Sequence, residues 1–295
     1  MEPNAKAVRR RREGPLRTII VAALAAASLA AAAAHAAPAD VELWRLDCGR
    51  IDLKDMSSFS DTGEFDGKAG HLPVSCYLVR HGAQYLLWDT GLPVSVRNTP
   101  AAADAPVALS LSRPLGEELA QLGVRPEQIG YVGLSHHHLD HSGQADAFAR
   151  SVLLMGADDF KLITGPSPPQ GQVNDFSHLA PWTSGQAKVT LVEHDLDVFG
   201  DGSVQILATP GHTRGHTSLL VRLAKLGPVI LTGDLWHQEA ERRLRTVPVD
   251  NDSRADTLAS YDRIDRLAAR LKARVIIGHD EQDIAILPAF PASAR

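Results

Sequence analysis

Six consecutive positions, His136-His137-His138-Leu139-Asp140-His141, hold four imidazoles and a carboxylate. In an extended segment residues i and i+2 point the same way, so His136 and His138 can face one ion. Asp140 and His141, at the turn into a following helix, aim elsewhere and suit a second ion or a metal-bound water. His137 faces away from its neighbours and reads as a packing or hydrogen-bonding residue. Three later segments have the same character: Gly211-His212-Thr213-Arg214-Gly215-His216-Thr217, Thr232-Gly233-Asp234 and Ile277-Gly278-His279-Asp280. Each sets a His or Asp after an apolar run and a glycine, where side chains leave a sheet edge for a common cleft. A lone His or Asp at a strand end is ordinarily a turn or cap residue; together with the His-rich segment these predict a metal site. With 2 cysteines and 13 histidines, four-thiolate zinc sites and iron–sulfur clusters are excluded, and the metal must rest on His and carboxylates.

These residues need strands to carry them. Short apolar runs predict strands at Val41–Cys48, Val74–Val79, Tyr85–Trp88, Tyr131–Leu134, Val152–Met155, Val189–Val192, Val204–Ala208, Ser218–Val221 and Val229–Thr232. His81-Gly82 reads as a hairpin turn, and Leu115–Leu122 as a short amphipathic helix. The clearest helix is Ala255–Leu271, where Leu258, Tyr261, Ile264, Leu267 and Leu271 recur at steps of three and four before the strand Val275–Ile277. This order predicts an α/β fold with helices around paired sheets. Leu92–Pro114, rich in Ala, Pro and Ser, reads as a surface loop of a length that is often functional.

Residues 1–36 stand apart. Arg9 to Arg12 and Arg17 precede an uncharged run from Ile19 to Ala34 and a small-x-small pattern, Ala34-His35-Ala36, which together read as a cleaved signal peptide. The run is too short and too weakly apolar for a stable membrane span. A periplasmic or secreted protein is therefore expected, and the arginine run raises a twin-arginine route beside general secretion. Residues 37–295 suffice for one large α/β domain, with 24 basic and 33 acidic residues, a net charge of −9 that argues against a nucleic-acid partner. Export would expose Cys48 and Cys76 to oxidising conditions, but whether they pair depends on a Cα separation that sequence does not contain.

The pattern His136-x-His138-x-Asp140-His141 resembles the signature of the metallo-β-lactamase superfamily, and the resemblance extends over nearly all of residues 37–295. Trp88-Asp89-Thr90-Gly91 is similar to that family's aspartate turn beneath the metal loop. The resemblance implies a four-layer αββα sandwich with two divalent metal ions, zinc by default, at one edge. Carried across, His136, His138 and His212 would hold the first ion, Asp140, His141 and His279 the second, and Asp234 would bridge them, with His216 structural. Within the superfamily the chain looks most like the N-acyl-homoserine lactonase branch, on Gly278-His279-Asp280-Glu281-Gln282, the bridging Asp234, and Leu46-Asp47-Cys48-Gly49-Arg50-Ile51 followed by Lys54-Asp55-Met56. True β-lactamases of the superfamily lack a bridging aspartate there.

One departure concerns His237, where lactonases of this branch often carry a tyrosine; it is either a substrate-facing donor or a packing histidine. The implied activity is hydrolysis of a lactone, most simply a quorum-quenching opening of an N-acyl-homoserine lactone, by a hydroxide held between two metals. Asp140 would orient that hydroxide and pass its proton to the leaving oxygen, and His237 would donate to the oxyanion. Met56, Phe59, Trp236 and the Leu92–Pro114 segment are candidates for an acyl pocket, though apolar residues mostly pack in cores. Two rivals stay open: a thioester, β-lactam or aryl-ester hydrolase of the same fold, and an exported metal-binding protein without turnover. A redox di-iron centre is disfavoured because that branch places Glu at His138. Besides a small lactone or ester, the sequence leaves oligomeric state open, a homodimer included.

Overall fold

The computed structural model describes residues 40–99, 101–169 and 174–295; the signal-peptide reading of residues 1–36 lies outside them. The chain lays down β1 (Val41–Leu53), β2 (Gly70–His81), β3 (Gln84–Trp88), β4 (Val107–Ser110), β5 (Tyr131–Gly133), β6 (Val152–Gly156) and β7 (Val189–Val192), which form one sheet in the order β4-β1-β2-β3-β5-β6-β7. A second sheet, ordered β12-β11-β10-β9-β8, comprises β8 (Leu196–Asp197), β9 (Val204–Ala208), β10 (Thr217–Leu223), β11 (Gly227–Leu231) and β12 (Arg274–Ile276). The helices are α1 (Leu115–Gln121), α2 (Leu139–Ser142), α3 (Ala157–Ile163), α4 (Ala180–Thr183), α5 (Glu239–Leu244), α6 (Arg254–Leu271) and α7 (Glu281–Ile284).

Side-chain alternation along the strands separates the layers. Tyr77, Val79, Leu86, Trp88 and Leu154 of the first sheet meet Val204, Ile206, Leu219, Val221 and Val229 of the second. The opposite face of the first sheet, with Cys76, Leu78, Leu87 and Leu153, packs on Leu115 and Leu119 of α1, Ile163 of α3 and Trp182 of α4. Leu220, Ile230 and Val275 on the outer face of the second sheet meet Tyr261, Ile264 and Ala268 of α6. The result is the expected αββα sandwich. Helix α6 begins at a Ser253 cap whose side chain accepts from the Asp256 N–H at 3.2 Å, and ends at Lys272 with φ of 53°.

One feature differs from the sequence reading, and one that the sequence left open is decided. Leu92–Pro114 is not wholly a loop: a helical turn spans Val94–Asn98, and β4 extends the first sheet by pairing Arg50 to Leu53 of β1 with Ser110 to Val107. As a half-exposed edge strand, β4 lacks the alternation that marks a buried one. Cys48 and Cys76 form a disulfide with Cα atoms 5.8 Å apart. Cys48 sits at the register shift between Asp47 and Gly49, two residues along β1 from Leu46, which pairs with Cys76. Among the described residues no helix is long and apolar enough to cross a membrane.

Candidate metal centre

The parallel strands β3 and β5 end side by side, and the loops leaving them interlock. Asp89 follows β3 in the left-handed region, with φ of 58°. Its Oδ1 accepts the Ser135 N–H at 2.7 Å, and its Oδ2 lies 3.0 Å from His141 Nδ1. The Thr90 N–H donates to the His141 carbonyl at 2.7 Å and that of Gly143 to Gly91 at 2.8 Å. The His-rich segment is therefore a bent loop fixed at both ends rather than an extended strand. His136 and His138 still converge, with ring centroids 4.5 Å apart, while His137 turns away to lie 3.0 Å from the buried Asp159.

The second sheet brings the other ligating types to the same edge. His212 lies between β9 and β10, Asp234 after β11 and His279 after β12. Ligand atoms of His136, His138, His212 and Asp234 lie within 4.8 Å of one another, as do those of Asp140, His141, Asp234 and His279, so Asp234 belongs to both groups. Four of the five rings have the far nitrogen committed to the protein, while His138 Nδ1 lies 3.1 Å from His212 Nε2. His212 Nδ1 bonds Asn251 Oδ1 at 2.9 Å, His279 Nδ1 donates to the Pro73 carbonyl at 2.7 Å, His136 Nδ1 lies 3.1 Å from Ser135 Oγ, and His141 Nδ1 meets Asp89. The near atoms are left over: Nε2 of His136, His141 and His279 and Oδ1 of Asp234 are buried without a hydrogen bond. Nε2 of His141 and of His279 lie 3.0 and 3.1 Å from that oxygen. Buried polar atoms are rarely left unpaired, and these four, divided between two groups that share Asp234, fit divalent cations.

The electrostatics agree. Burial, with the neighbouring rings, holds His136 well below the usual histidine range and brings His138 to about 4. Burial also depresses His212. All three therefore offer lone pairs at neutral pH, as metal ligands must. His141 goes the other way: burial lowers it, but Asp234, Asp140 and Asp89 outweigh that and raise it well above its ordinary value. Burial would push Asp234 and Asp140 up, yet the surrounding imidazoles, led by His141, hold both carboxyls down.

His216 belongs to neither group. Its Nε2 accepts the Asp234 N–H at 3.1 Å and its Nδ1 donates to the Thr209 carbonyl at 3.0 Å, so both nitrogens are spent on holding the Asp234 backbone. His237 lies at the centre rather than on the surface: it is buried, and its Nε2 is 3.2 Å from Asp234 Oδ2. Phe59 packs edge-on against it at 4.9 Å. Of the other apolar pocket candidates, Trp236 instead packs against Tyr261, with ring centroids 4.7 Å apart and planes tilted by 34°, in the core under α6. Met56 is buried against Gly70, and Leu92, Val96 and Leu109 pack into the helix-side core of the first sheet. Sequence reasoning missed Asp159, Asn251 and Glu241. Asp159 is fully buried and accepts from the Thr213 hydroxyl and the Gly215 N–H, both at 2.7 Å, fixing the loop that carries His212.

Comparison with known proteins places this arrangement. The chain is 29% identical over 250 residues, 82% of its length and 94% of the other's, to the N-acyl homoserine lactonase AttM of Azorhizobium caulinodans. It is 29% identical over 257 residues, 85% and 97% of the two chains, to an N-acyl homoserine lactonase of a Bacillus species. The crystal structure of an N-acyl homoserine lactone hydrolase, with the product N-hexanoyl-L-homoserine bound at its catalytic metal centre, superposes with a TM-score of 0.72 at 25% identity, covering 85% of this chain and 98% of the other. The family model described as the metallo-beta-lactamase superfamily matches residues 69–279. The chain belongs to the metallo-beta-lactamase superfamily and is a hydrolase of its lactonase-like kind.

Proposed function

We propose that the protein opens the ring ester of N-acyl homoserine lactones, with His136, His138 and His212 holding one zinc ion, Asp140, His141 and His279 a second, and Asp234 shared between them. The observation that carries this reading is the pair of four-residue groups meeting at Asp234, with Nε2 of His136, His141 and His279 and Oδ1 of Asp234 buried and unbonded. The lactonases to which the chain is similar supply the substrate class. Two bound cations would bring the pKa of water toward neutrality and polarise the ester carbonyl.

The chain's own residues then divide the work. The side chain of Asp140 is 15% exposed against 5% for Asp234, so its carboxylate is the one within reach of the reacting atoms. It takes the proton of the attacking water and returns it to the ring oxygen when the carbon–oxygen bond breaks, giving the open hydroxy acid. His237, held over Asp234, directs Nε2 to the carbonyl or leaving oxygen. Phe59 covers the outer side of that ring and helps exclude water. The reading extends to export: residues 1–36 act as a secretion leader, and the buried Cys48–Cys76 disulfide suits an oxidising periplasm or exterior.

The test is ring opening of a medium-chain N-acyl homoserine lactone by purified protein before chelation, after chelation and after zinc is restored. Rapid hydrolysis that chelation abolishes and zinc restores is expected. Protein holding two metals per chain that leaves the lactone intact while cleaving aryl esters or β-lactams would overturn the substrate assignment and leave the metal centre standing.

A further inference from the structure

Glu241, in α5, is 0% exposed. Its Oε2 accepts the backbone N–H of His237 at 2.9 Å and lies 3.3 Å from the same residue's Nδ1, while Oε1 is buried without a partner. A carboxylate withdrawn from water with half its acceptor capacity unused is expensive, and an apolar residue of similar volume would fill the space at lower cost. What Glu241 does for the fold is therefore small beside what it does for His237.

The ring of His237 is confined by three others: Phe59 edge-on at 4.9 Å, His212 edge-on at 5.2 Å, and His279 stacked within 7° of parallel at 5.8 Å. Such packing fixes the plane of an imidazole but does not distinguish its two faces, because turning the ring over exchanges nitrogen for carbon at almost unchanged shape. Glu241 removes that ambiguity. With Nδ1–H directed at its carboxylate, Nε2 faces Asp234 Oδ2 at 3.2 Å; turned over, the ring would present carbon to both partners. His237 lies in neither ligand group, so Nε2 is not needed to hold a metal. We propose that Glu241 is a positioning residue for the hydrolytic reaction, setting the His237 ring so that Nε2, and not a ring carbon, faces substrate beside Asp234. This inference rests on the hydrolase reading above.

The experiment uses full-length, zinc-loaded protein carrying Glu241→Leu, Glu241→Gln or His237→Phe, and the His237→Phe/Glu241→Leu pair, assayed on a medium-chain N-acyl homoserine lactone. Loss of a residue that orients a group at a metal site typically lowers activity about 10- to 100-fold. Glu241→Leu is expected to lower kcat by that factor with little change in KM and with metal content intact. Glu241→Gln, whose amide oxygen still accepts Nδ1–H, restores most of the rate. In the His237→Phe background Glu241→Leu costs nothing further, since the two act as one unit. An equal loss in that background, or a Leu variant as active as wild type, overturns the proposal. A second readout needs no turnover: in long-range 1H–15N spectra, recorded with and without zinc, His237 shows a protonated Nδ1. A bare Nδ1 in the wild type refutes the positioning role even if Glu241→Leu fails to fold. Absence of lactone turnover in the wild type would instead count against the lactone assignment, with the spectrum still deciding the role of Glu241.

Discussion

Replacing Asp159 by alanine tests whether the loop that carries His212 is held by one buried carboxylate. Asp159 receives the Thr213 hydroxyl and the Gly215 N–H at 2.7 Å each, and lies 3.0 Å from His137 Nδ1. The Thr213 hydroxyl can rotate toward another acceptor, but the Gly215 N–H and the His137 ring cannot. One stranded buried donor, the Gly215 N–H, and the lost contact with the His137 ring, at about 1–3 kcal/mol each, give a loss of roughly 4 kcal/mol. For a chain of this size that is a fall in Tm of roughly 8–16 °C. Burial alone would raise the Asp159 carboxyl, yet His137, Thr213 and Gly215 hold it below its ordinary value. The unfolded chain therefore takes up the proton first as pH falls below about 4, and the stability supplied by Asp159 is present above that pH and lost beneath it. Denaturant unfolding of metal-free wild type and Asp159→Ala should show the full gap at pH 7, narrowing below pH 4. Zinc titration should show the group containing His212 weakened more than the group containing His279. A gap under about 1 kcal/mol at pH 7, or equal weakening of both groups, would refute the reasoning.

Glu118, 2% exposed on α1 and accepting the Asp47 N–H at 3.1 Å, is pushed up to about 7 by burial and by the Asp47 carboxylate. Its folded form binds a proton that the unfolded chain has already lost, so stability declines as pH rises from about 4.5 to 7 and then levels; Glu118→Gln should match wild type near pH 4 and exceed it by about 1–3 kcal/mol at pH 8 in unfolding titrations. The Cys48–Cys76 bridge spans 28 residues, so the Cys48→Ala/Cys76→Ala variant should lose about 3–4 kcal/mol in guanidinium unfolding while still taking up zinc.

Much of the sandwich could be read from local pattern because its buried strands are short apolar runs bounded by turn residues. Val189–Val192 and Val204–Ala208 form strands with the expected ends, and α6 starts one residue before the periodic run. The failures lie where burial is partial. Arg50-Ile51-Asp52-Leu53 continues β1 beyond Cys48, past a bulge and with alternating polarity, and β4 pairs with that extension at the sheet edge. Both owe their strand conformation to each other and to backbone hydrogen bonding, which leaves little trace in composition. The same holds for Leu92, Val96 and Leu109, whose surroundings suggest a loop until the first sheet buries them.

The site divides along a different line. Residues brought to the strand ends, from His136 to His279, were legible because ligands need particular atom types and the topology needs them just after apolar runs. Their supports obey no such rule. Asp159 acts on His137 and on the His212 loop from α3, Asn251 on His212 from before α6, a proline carbonyl in β2 on His279, and Glu241 on His237 from α5. A carbonyl oxygen has no side-chain signature, and a buried carboxylate in a short helix reads as a surface residue until packing encloses it. Only Asp89 could be anticipated, because its place in a tight turn after β3 is itself a local pattern. What distinguishes this centre from a generic one therefore lies in contacts of long sequence separation, and the His237–Glu241 pair shows the point most clearly. The family resemblance leads one to expect a tyrosine at position 237, but whether the histidine there serves packing or chemistry depends on a carboxylate four residues away whose burial no spacing rule foretells.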